Sequence, residues 1–451
     1  MGVKNSLFQD FKKVSTQEWK LKIQADLKGT DYQSLITKTL EGIDIKPYYH
    51  YDTYIPSEQT FNDQFNIVQE LNLSDESIAN KIALNALKKG ADFFTFYVDK
   101  PFDIDKLIKN LDLNKLIFKA DMLQVDFLVN LAKKTQEKSR LLIDPLGHFA
   151  RYGNWFDNEQ KDFDNLKVLK DKVSEKFLHI DIRTEHYKNA GANITQEIAY
   201  GLSHAVEYIE KLGEGILPQI QFSMAQGSHY FFEIIKIKVL KNLWQIISTS
   251  YQNPQIPLVY ARPALRNKTI FDPYVNLLRT GMEIMSAILG GADFVANIPF
   301  DVTYKKSNEF SERLARNQLI ILKNEAHFNE ALRSTSGNYF LEENIYKLSE
   351  QALNLFKTLE KSGGFLAQLY KGQIQRKISA SAEKQDKKYS NGEIVLVGTN
   401  KYINQNEEIP AIDFYPFLKK RKGQTLIRPI VPKRLAEKTE IERLEKAGVR
   451  F

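Results

Sequence analysis

The stretch FLHIDIRTEHYKNAGANITQEIAYGLSHAVEYIEKLGEGILPQIQFSM (177–224) places a helical pattern between two short apolar segments. The flanking segments FLHIDIR (177–183) and QIQFSM (219–224) are mainly apolar rather than strictly alternating, as strands buried on both faces of a parallel sheet are. Residues 194–212 are long enough for a helix that crosses from one strand to the next. This order is typical of a right-handed βαβ unit.

The same alternation of strands and helices extends over residues 78–370. Further strands are predicted at FNIVQEL (65–71), DFFTFYV (92–98), QVDFLVNL (124–131), RLLIDPLG (140–147), PLVYAR (257–262) and ADFVANI (292–298). Further helices are predicted at 229–249, 272–289, 307–333 and 341–361. Seven or eight such units over roughly 300 residues predict an α/β fold, a (β/α)₈ TIM barrel. A doubly wound open sheet is the alternative, and periodicity alone does not separate the two.

The regions outside this alternation have a different character. Ser15 and Glu18 have the spacing of a capping box that starts a short helix. The prolines between 410 and 432 predict a mainly extended chain, and the segment IVLVGTNKY (394–402) is predicted as a strand. We therefore divide the chain into an N-terminal arm (1–45), the barrel (46–370) and an extended C-terminal segment (371–451).

Composition and charge exclude several classes of protein. The 451 residues contain no cysteine, which excludes disulfides, iron–sulfur clusters, thiolate zinc sites and a cysteine nucleophile. The net charge of +7 resides in residues 419–451, which hold 11 basic and 4 acidic side chains, so the rest of the chain is neutral. This local excess does not predict nucleic-acid binding. Without a signal peptide or a run of about 18 apolar residues, we expect a cytoplasmic protein that spans no membrane.

Candidate catalytic residues are few. His179 and Asp181 lie on a predicted strand and His186 follows it, at the strand end that carries the active site in a barrel. A general acid or hydrogen-bond donor to a substrate carbonyl is one interpretation, and a histidine of the barrel mouth that is bonded to the backbone is the one we favour. No histidine pair has metal-ligand spacing, and no phosphate loop or nucleophile elbow occurs.

Two further groups of polar residues are candidates for a site. DPLGH (144–148) follows a buried strand, so Asp144 and His148 are pocket candidates, although Pro145 and Gly147 favour a tight turn. Arg313 and Arg316 lie three residues apart on one predicted helix face, where an anion site competes with the favoured surface ion pair. These residues alone identify a large α/β protein without a self-contained catalytic constellation and without a metal site.

Several longer strings resemble the methylmalonyl-CoA mutase family, and its small (beta) subunit in particular. They occur in collinear order over nearly the whole chain: STQEWKLKIQADLKG (15–29), EGIDIKPYY (41–49), HYKNAGANITQEIAYGLSHAVEYI (186–209), FFEIIKIKVLKNLW (231–244), RNKTIFDPYVNLLRTGMEIMSAILGGAD (266–293), FSERLARNQLIIL (310–322), SGNYFLE (336–342), SGGF (362–365) and VGTNKY (397–402). The resemblance implies a (β/α)₈ barrel and an adenosylcobalamin-dependent complex that interconverts methylmalonyl-CoA and succinyl-CoA.

The departures from that family bear on function. The DxHxxG motif, whose histidine ligates cobalt in the family, does not occur, so we expect no cobalamin domain and no cofactor-binding residue. YYHYDTYIPS (48–57) stands where the catalytic subunit has its active-site tyrosine, and IDPLGHFARYGN (143–154) stands where it has an arginine for the substrate carboxylate. Pro263 and Ala264 replace a threonine and a serine that lie near the family's ligands.

His186 is the one candidate that this comparison retains. Counted back from the AGA string (190–192), it falls where the catalytic subunit has an active-site histidine. Small subunits often carry a YHNAGA-like string, and in that register Lys188 takes the polar position. We expect no catalytic residue in this chain, with His186 as the candidate that would contradict this.

The resemblance therefore predicts the small, non-catalytic subunit of a heterodimeric mutase. A large catalytic subunit would hold adenosylcobalamin and the acyl-CoA substrate, and the arm and the basic tail would wrap that partner. One alternative is a catalytic barrel whose cobalamin domain lies on a separate chain. Another is a standalone acyl-CoA-binding module.

Overall fold

Eight parallel strands close into a barrel in this computed structural model, which describes residues 11–54, 64–404, 406–408, 410–417 and 423–448. Two short strands, β1 (Thr37–Lys38) and β2 (Asp44–Ile45), pair with each other outside the barrel. The barrel strands are β3 (Asn66–Asn72), β4 (Phe93–Val98), β5 (Leu116–Ala120), β6 (Arg140–Ile143), β7 (Leu178–Arg183), β8 (Ile220–Gln226), β9 (Leu258–Pro263) and β10 (Phe294–Ala296). Since β10 pairs with both β9 and β3, the predicted barrel is confirmed and the open sheet is excluded.

Helices surround the barrel, and all of them except α1 have buried residues. They are α1 (Thr16–Asp26), α2 (Glu76–Lys88), α3 (Ile104–Ile108), α4 (Val125–Lys134), α5 (Pro145–Tyr152), α6 (Glu159–Lys172), α7 (Glu185–Asn189), α8 (Ile194–Leu212), α9 (Tyr230–Ser250), α10 (Pro273–Gly290), α11 (Glu309–Asn324), α12 (Tyr339–Lys361), α13 (Gly364–Tyr370), α14 (Gln373–Ser390) and α15 (Glu437–Lys446). Among the described residues, none of these helices is both long and apolar enough to cross a bilayer.

The main correction to the predicted elements concerns the third barrel strand. QVDFLVNL (124–131) is not a strand, because it forms most of α4, where Leu128, Leu131 and Ala132 make a buried stripe at helical spacing. The strand is Leu116–Ala120 instead, and all five of its residues are buried. Short apolar runs of this length fit either element, and Lys119 interrupts the apolar run of the true strand.

The N-terminal arm lies along the outside of the molecule. The capping box of α1 is confirmed, since Ser15 and Glu18 cap each other's backbone. No residue of α1 is buried, and its main attachments are the stacking of Trp19 on Tyr48 and the hydrogen bond from the Thr16 backbone N–H to Asp52. The segment YYHYDTYIPS (48–57) stands where the catalytic subunit of the family has its active-site tyrosine, and its last three residues, 55–57, lie outside the described residues.

The C-terminal segment continues as α13 and α14 and then leaves regular structure. The predicted strand IVLVGTNKY (394–402) is wrong, since only an isolated bridge between Val397 and Lys401 forms there. The described parts of 410–432 have no helix or strand, as the prolines predict. The last helix of the described residues is α15, which lies against the loops after the barrel strands.

Candidate functional site at the barrel axis and mouth

The barrel axis is filled by polar and aromatic side chains. Contacts between strands that are not neighbours identify the residues that point inward, since only the interior brings such strands together. The inward residues joined by such contacts are Glu70, Thr95, Lys119, Arg140, Asp181, Gln221, Ser223, Tyr260, Arg262 and Phe294. The interior therefore holds ionised groups where barrels ordinarily hold branched aliphatic residues.

A lysine and an aspartate occupy the middle of the axis, and neither is exposed. Lys119 Nζ donates to Ser223 Oγ at 2.9 Å, lies 3.8 Å from Asp181 Oδ2 and lies 3.8 Å from the centre of the Tyr260 ring. Asp181 Oδ1 accepts from Ser223 Oγ at 2.6 Å and from Gln221 Nε2 at 3.1 Å. Buried charges persist only when they are paired and hydrogen-bonded in this way.

A second ionic group lies toward the carboxyl ends of the strands. Arg262 Nη2 lies 3.2 Å from Glu70 Oε2, and Glu70 Oε1 accepts hydrogen bonds from the hydroxyls of Tyr97 and Tyr260 at 2.8 and 2.7 Å. Burial raises the pKa of Tyr97 and of Tyr260 well above its ordinary value, so both phenols remain protonated donors. The four side chains form one network across the barrel.

Asp144 organises the loop after β6. Its carboxylate caps α5 by accepting from Gly147 N at 2.8 Å, and it also accepts from His204 Nε2 at 3.0 Å and Tyr208 OH at 2.8 Å. Burial alone would raise the pKa of Asp144, but the His204 ring and Arg183 lower it below its ordinary value. DPLGH is therefore the start of a capped helix rather than an isolated tight turn, and Asp144 holds the structure together instead of lining an open pocket.

The three polar residues predicted near the end of β7 do not form one cluster. His179 lies at the opposite end of the strand, so its predicted position at the barrel mouth is wrong. Its Nε2 bonds to the carbonyl of Lys176 at 3.1 Å, which confirms the predicted bond to the backbone. Asp181 points into the axis, and His186 lies on α7 beyond the strand. With a rise of about 3.3 Å per residue along a strand, these side chains reach different levels of the barrel.

His186 is buried at the barrel mouth, with 8% of its surface exposed. Burial, with the nearby Arg151 cation, lowers the pKa of His186 to about 3, so the ring is neutral at pH 7. A neutral imidazole donates one hydrogen bond but is a poor proton donor. Glu185 beside it is buried too, and the Lys119 and Arg262 cations hold its pKa at about 2 although burial alone would raise it.

The two arginines of the predicted pair on α11 differ in their exposure to solvent. Arg313 is exposed, with its guanidinium 5.9 Å from the centre of the Phe310 ring. Arg316 is buried and donates to Gln69 Oε1 at 2.6 Å. The two therefore make neither an anion site nor a shared surface ion pair, and the prediction is wrong because only one of the two faces solvent.

The C-terminal segment crosses the mouth of the barrel. Residues 426–446 are named here the C-terminal strap. They form hydrogen bonds, each with at least one backbone partner, to the segments that follow β6, β7 and β9. These bonds join Leu426 to Asn154, Ile427 to Gly153, Ile430 to Ala150, Lys433 to Asn189, Leu435 to Arg266 and Glu440 to Ile270. The strap thus lies at the end of the barrel that carries active sites in this fold, along the segments after β6, β7 and β9.

An arginine anchors the strap. Arg434 is 6% exposed, lies 2.7 Å from Glu440 and donates to the carbonyl of Lys268 at 3.0 Å. Farther along, Arg266 donates to Gln385 Oε1 at 2.7 Å and to the carbonyl of Lys433 at 2.9 Å, so α14 is tied into the same network. These contacts show the described part of the tail packed on its own barrel, while its predicted contact with a partner stays a prediction.

Sequence reasoning missed the residues that fill the axis. Lys119 was overlooked because LIFKA was not recognised as a strand. Glu70, Arg262 and Tyr260 lie on recognised strands, but the contacts among them join residues far apart in the chain. The one local signal was polar residues at alternate positions, as His179, Asp181 and Arg183 show in FLHIDIR.

Comparison with known proteins gives a consistent result. Residues 134–438 match the family model described as methylmalonyl-CoA mutase. The chain is 31% identical over 450 residues to the methylmalonyl-CoA mutase small subunit of Porphyromonas gingivalis, across 90% of this chain and 72% of that relative.

Two further relatives match over shorter stretches. The methylmalonyl-CoA mutase small subunit of Streptomyces virginiae is 28% identical over 302 residues, across 64% of this chain and 46% of that relative. The methylmalonyl-CoA mutase of Rhizobium meliloti is 30% identical over 247 residues, across 52% and 35%. The matched part is less than half the length of each of these two relatives.

Proposed function

Because the chain belongs to the methylmalonyl-CoA mutase family, we propose that it is the small, non-catalytic subunit of an adenosylcobalamin-dependent heterodimer that interconverts methylmalonyl-CoA and succinyl-CoA. A larger subunit holds the cofactor, the substrate and the reacting atoms. Two of the similar proteins bear the description small subunit, which supports a larger companion.

The filled barrel carries the proposal. An eight-stranded barrel is just wide enough for side chains, and here Lys119, Asp181, Glu70 and Arg262 occupy that space as ion pairs. A substrate that entered from the mouth would have to break such a pair and pass the C-terminal strap. Leaving one partner of a buried pair uncompensated costs about 3–5 kcal/mol, so this barrel is poorly suited to bind an acyl-CoA.

His204, beside the barrel mouth, does not fit a cobalt ligand. Both ring nitrogens of His204 are engaged, Nε2 by Asp144 at 3.0 Å and Nδ1 by the Tyr187 hydroxyl at 2.8 Å. His186 is 8% exposed, so little of its surface is open to a ligand. We therefore assign adenosylcobalamin to the larger subunit and derive no reaction step in this chain.

The same features count against both alternatives. A catalytic barrel with its cobalamin domain on a separate chain needs an open substrate pocket at the mouth, and so does a standalone acyl-CoA-binding module. At that mouth, the carboxylate of Asp144 is occupied by His204, Tyr208 and the α5 backbone, and the strap lies over the loops.

Native purification through a tag on this chain, followed by intact-mass analysis and an absorption spectrum, tests the proposal. We expect a 1:1 complex with a subunit heavier than this 52.1 kDa chain, with a corrinoid spectrum. A much smaller partner that carries the corrinoid would establish the split-enzyme alternative. A lone chain that binds acyl-CoA with saturation would establish the standalone module.

A further inference from the structure

The outer face of α10 is apolar although it faces solvent. At the spacing of one helix face it presents an uncharged set, Tyr274, Leu277, Leu278, Gly281, Met282 and Met285. Tyr274, Leu278 and Met282 are 59%, 71% and 53% exposed. The helix α6 on the same barrel shows the usual arrangement, with exposed lysine and aspartate side chains. A surface helix ordinarily carries charged and polar residues on the face that points away from the core.

Neighbouring elements extend this face into a larger surface. The apolar patch, as we define it, comprises Tyr274, Leu278, Met282, Phe310, Val397 and Tyr402. The Phe300 ring links two of its members, with its centre 5.0 Å from that of Tyr274 and 6.3 Å from that of Phe310. Arg279 donates to the Val397 carbonyl at 2.7 Å, which holds the C-terminal segment beside α10.

The charged side chains at the edge of the patch include two cations, Arg313 and Lys401, and one anion, Glu309. Arg313 lies 5.9 Å from the centre of the Phe310 ring, and Lys401 Nζ lies 5.3 Å from the centre of the Tyr402 ring. Both cations are exposed. Glu309, next to Phe310, lies 3.8 Å from Lys89, which directly follows α2. An apolar centre with a charged rim is the usual build of a protein–protein interface.

We propose that the apolar patch is the docking surface for the larger mutase subunit, which presents an apolar centre and an acidic rim. This inference rests on the proposed function, since it names the surface through which the subunit acts. A second copy of this chain is a poor occupant. In a two-fold contact the patch meets itself, which brings Arg313 and Lys401 of both copies into one interface with like charge.

Placing a charge at the centre of the patch tests the proposal. Leu278→Glu should reduce the affinity for the larger subunit encoded in the same genome by at least about thirtyfold, the loss typical of an interface hot spot. The matched control is Ile78→Glu on α2, where the isoleucine is 61% exposed and outside the patch. Binding is measured by biolayer interferometry with the full chain, and circular dichroism checks that both variants fold.

A charge reversal at the rim gives an independent measurement. Arg313→Glu together with Lys401→Glu should slow association and remove most of its dependence on salt concentration, because rim charges act mainly on the association rate. Unchanged association and salt dependence would contradict an acidic rim on the partner.

The possible results test the docking role of the apolar patch and the proposed subunit function independently. Wild-type binding that is lost in Leu278→Glu and kept in Ile78→Glu supports the patch. Equal binding by all three proteins overturns the patch and leaves the subunit role in place. A wild-type chain that does not bind the larger subunit overturns both. A wild-type dimer of this chain that Leu278→Glu dissociates identifies a second copy as the occupant and also overturns the proposal.

Discussion

The guanidinium of Arg262 lies 3.2 Å from the carboxylate of Glu70, across the interior between two barrel strands that β10 separates. The same carboxylate accepts from the Tyr97 and Tyr260 hydroxyls, so one anion holds three strands together at the axis. In a barrel built to bind substrate, this is the region that the substrate reaches. In this chain the side chains of Glu70, Tyr97, Tyr260 and Arg262 fill that region.

Removing the arginine of this pair should destabilise the chain. Arg262→Ala leaves Glu70 as an uncompensated buried charge, and we expect the free energy of unfolding to fall by about 3–5 kcal/mol, measured by urea denaturation. As a control, Lys22→Ala removes an exposed ion pair with Asp26 and should leave the midpoint unchanged. An Arg262→Ala midpoint equal to that of the wild type would show that the pair does not stabilise the barrel.

His186 should be dispensable for turnover. We expect His186→Ala to leave the rate of the assembled complex within a few-fold of the wild type, because the neutral ring takes no part in the reaction. Loss of a positioned acid usually costs 10²–10⁴ in rate, so a drop of about a hundredfold would show that this barrel is catalytic. Measurement of complex formation by the variant guards against a loss of assembly.

Glu312 should make stability depend on pH. Burial raises its pKa from 4.5 to about 7, and Glu70 and Asp301 nearby act in the same direction. Because the folded chain then binds this proton more tightly than the unfolded chain, the free energy of unfolding falls as pH rises from about 4.5 through 7. The Glu312 contribution to this fall should be about 1–3 kcal/mol.

Glu312→Gln isolates this contribution. The variant should gain stability relative to the wild type as pH rises from 5 to 8, measured by urea denaturation at both values. Glu442→Gln alters an exposed carboxyl on α15 and serves as the control. A stability difference between Glu312→Gln and the wild type that stays constant with pH would contradict the assignment.

Arg434 should hold the C-terminal strap closed. Arg434→Ala leaves Glu440 without its ion-pair partner, and we expect a loss of about 3 kcal/mol or more in the free energy of unfolding. Hydrogen exchange should accelerate at the Ile270 and Ile430 amides, which bond across the strap. Arg428→Ala changes an exposed arginine of the strap as the control. Unchanged exchange at both amides would show that Arg434 does not anchor the strap.

The barrel could be predicted from the sequence because its signals are local. Helix α8 begins and ends at the predicted residues 194–212, since Asn193 and Gln196 form a capping box and Gly213 follows its end. The strand Leu116–Ala120 was missed because Lys119 breaks its apolar run, and the lysine is buried only because Asp181 and Ser223 come from other strands.

The filled axis could not be predicted for the same reason. The Glu70–Arg262 pair and the Lys119–Asp181 pair each join residues that approach only when the barrel closes. The position of the strap is equally non-local, since Leu435 bonds to Arg266 and Glu440 to Ile270. The sequence indicated that site residues of the family were missing, while only the structure shows what occupies their place.

The stoichiometry of acyl-CoA bound by the assembled complex tests most directly whether this barrel takes part in catalysis. Equilibrium dialysis of the purified complex against acyl-CoA labelled in its CoA part gives the number of sites for each 1:1 pair of subunits. We predict one site for each pair, and no saturable binding by this chain alone. Two sites for each pair would contradict a non-catalytic barrel, because the second would have to lie in this chain.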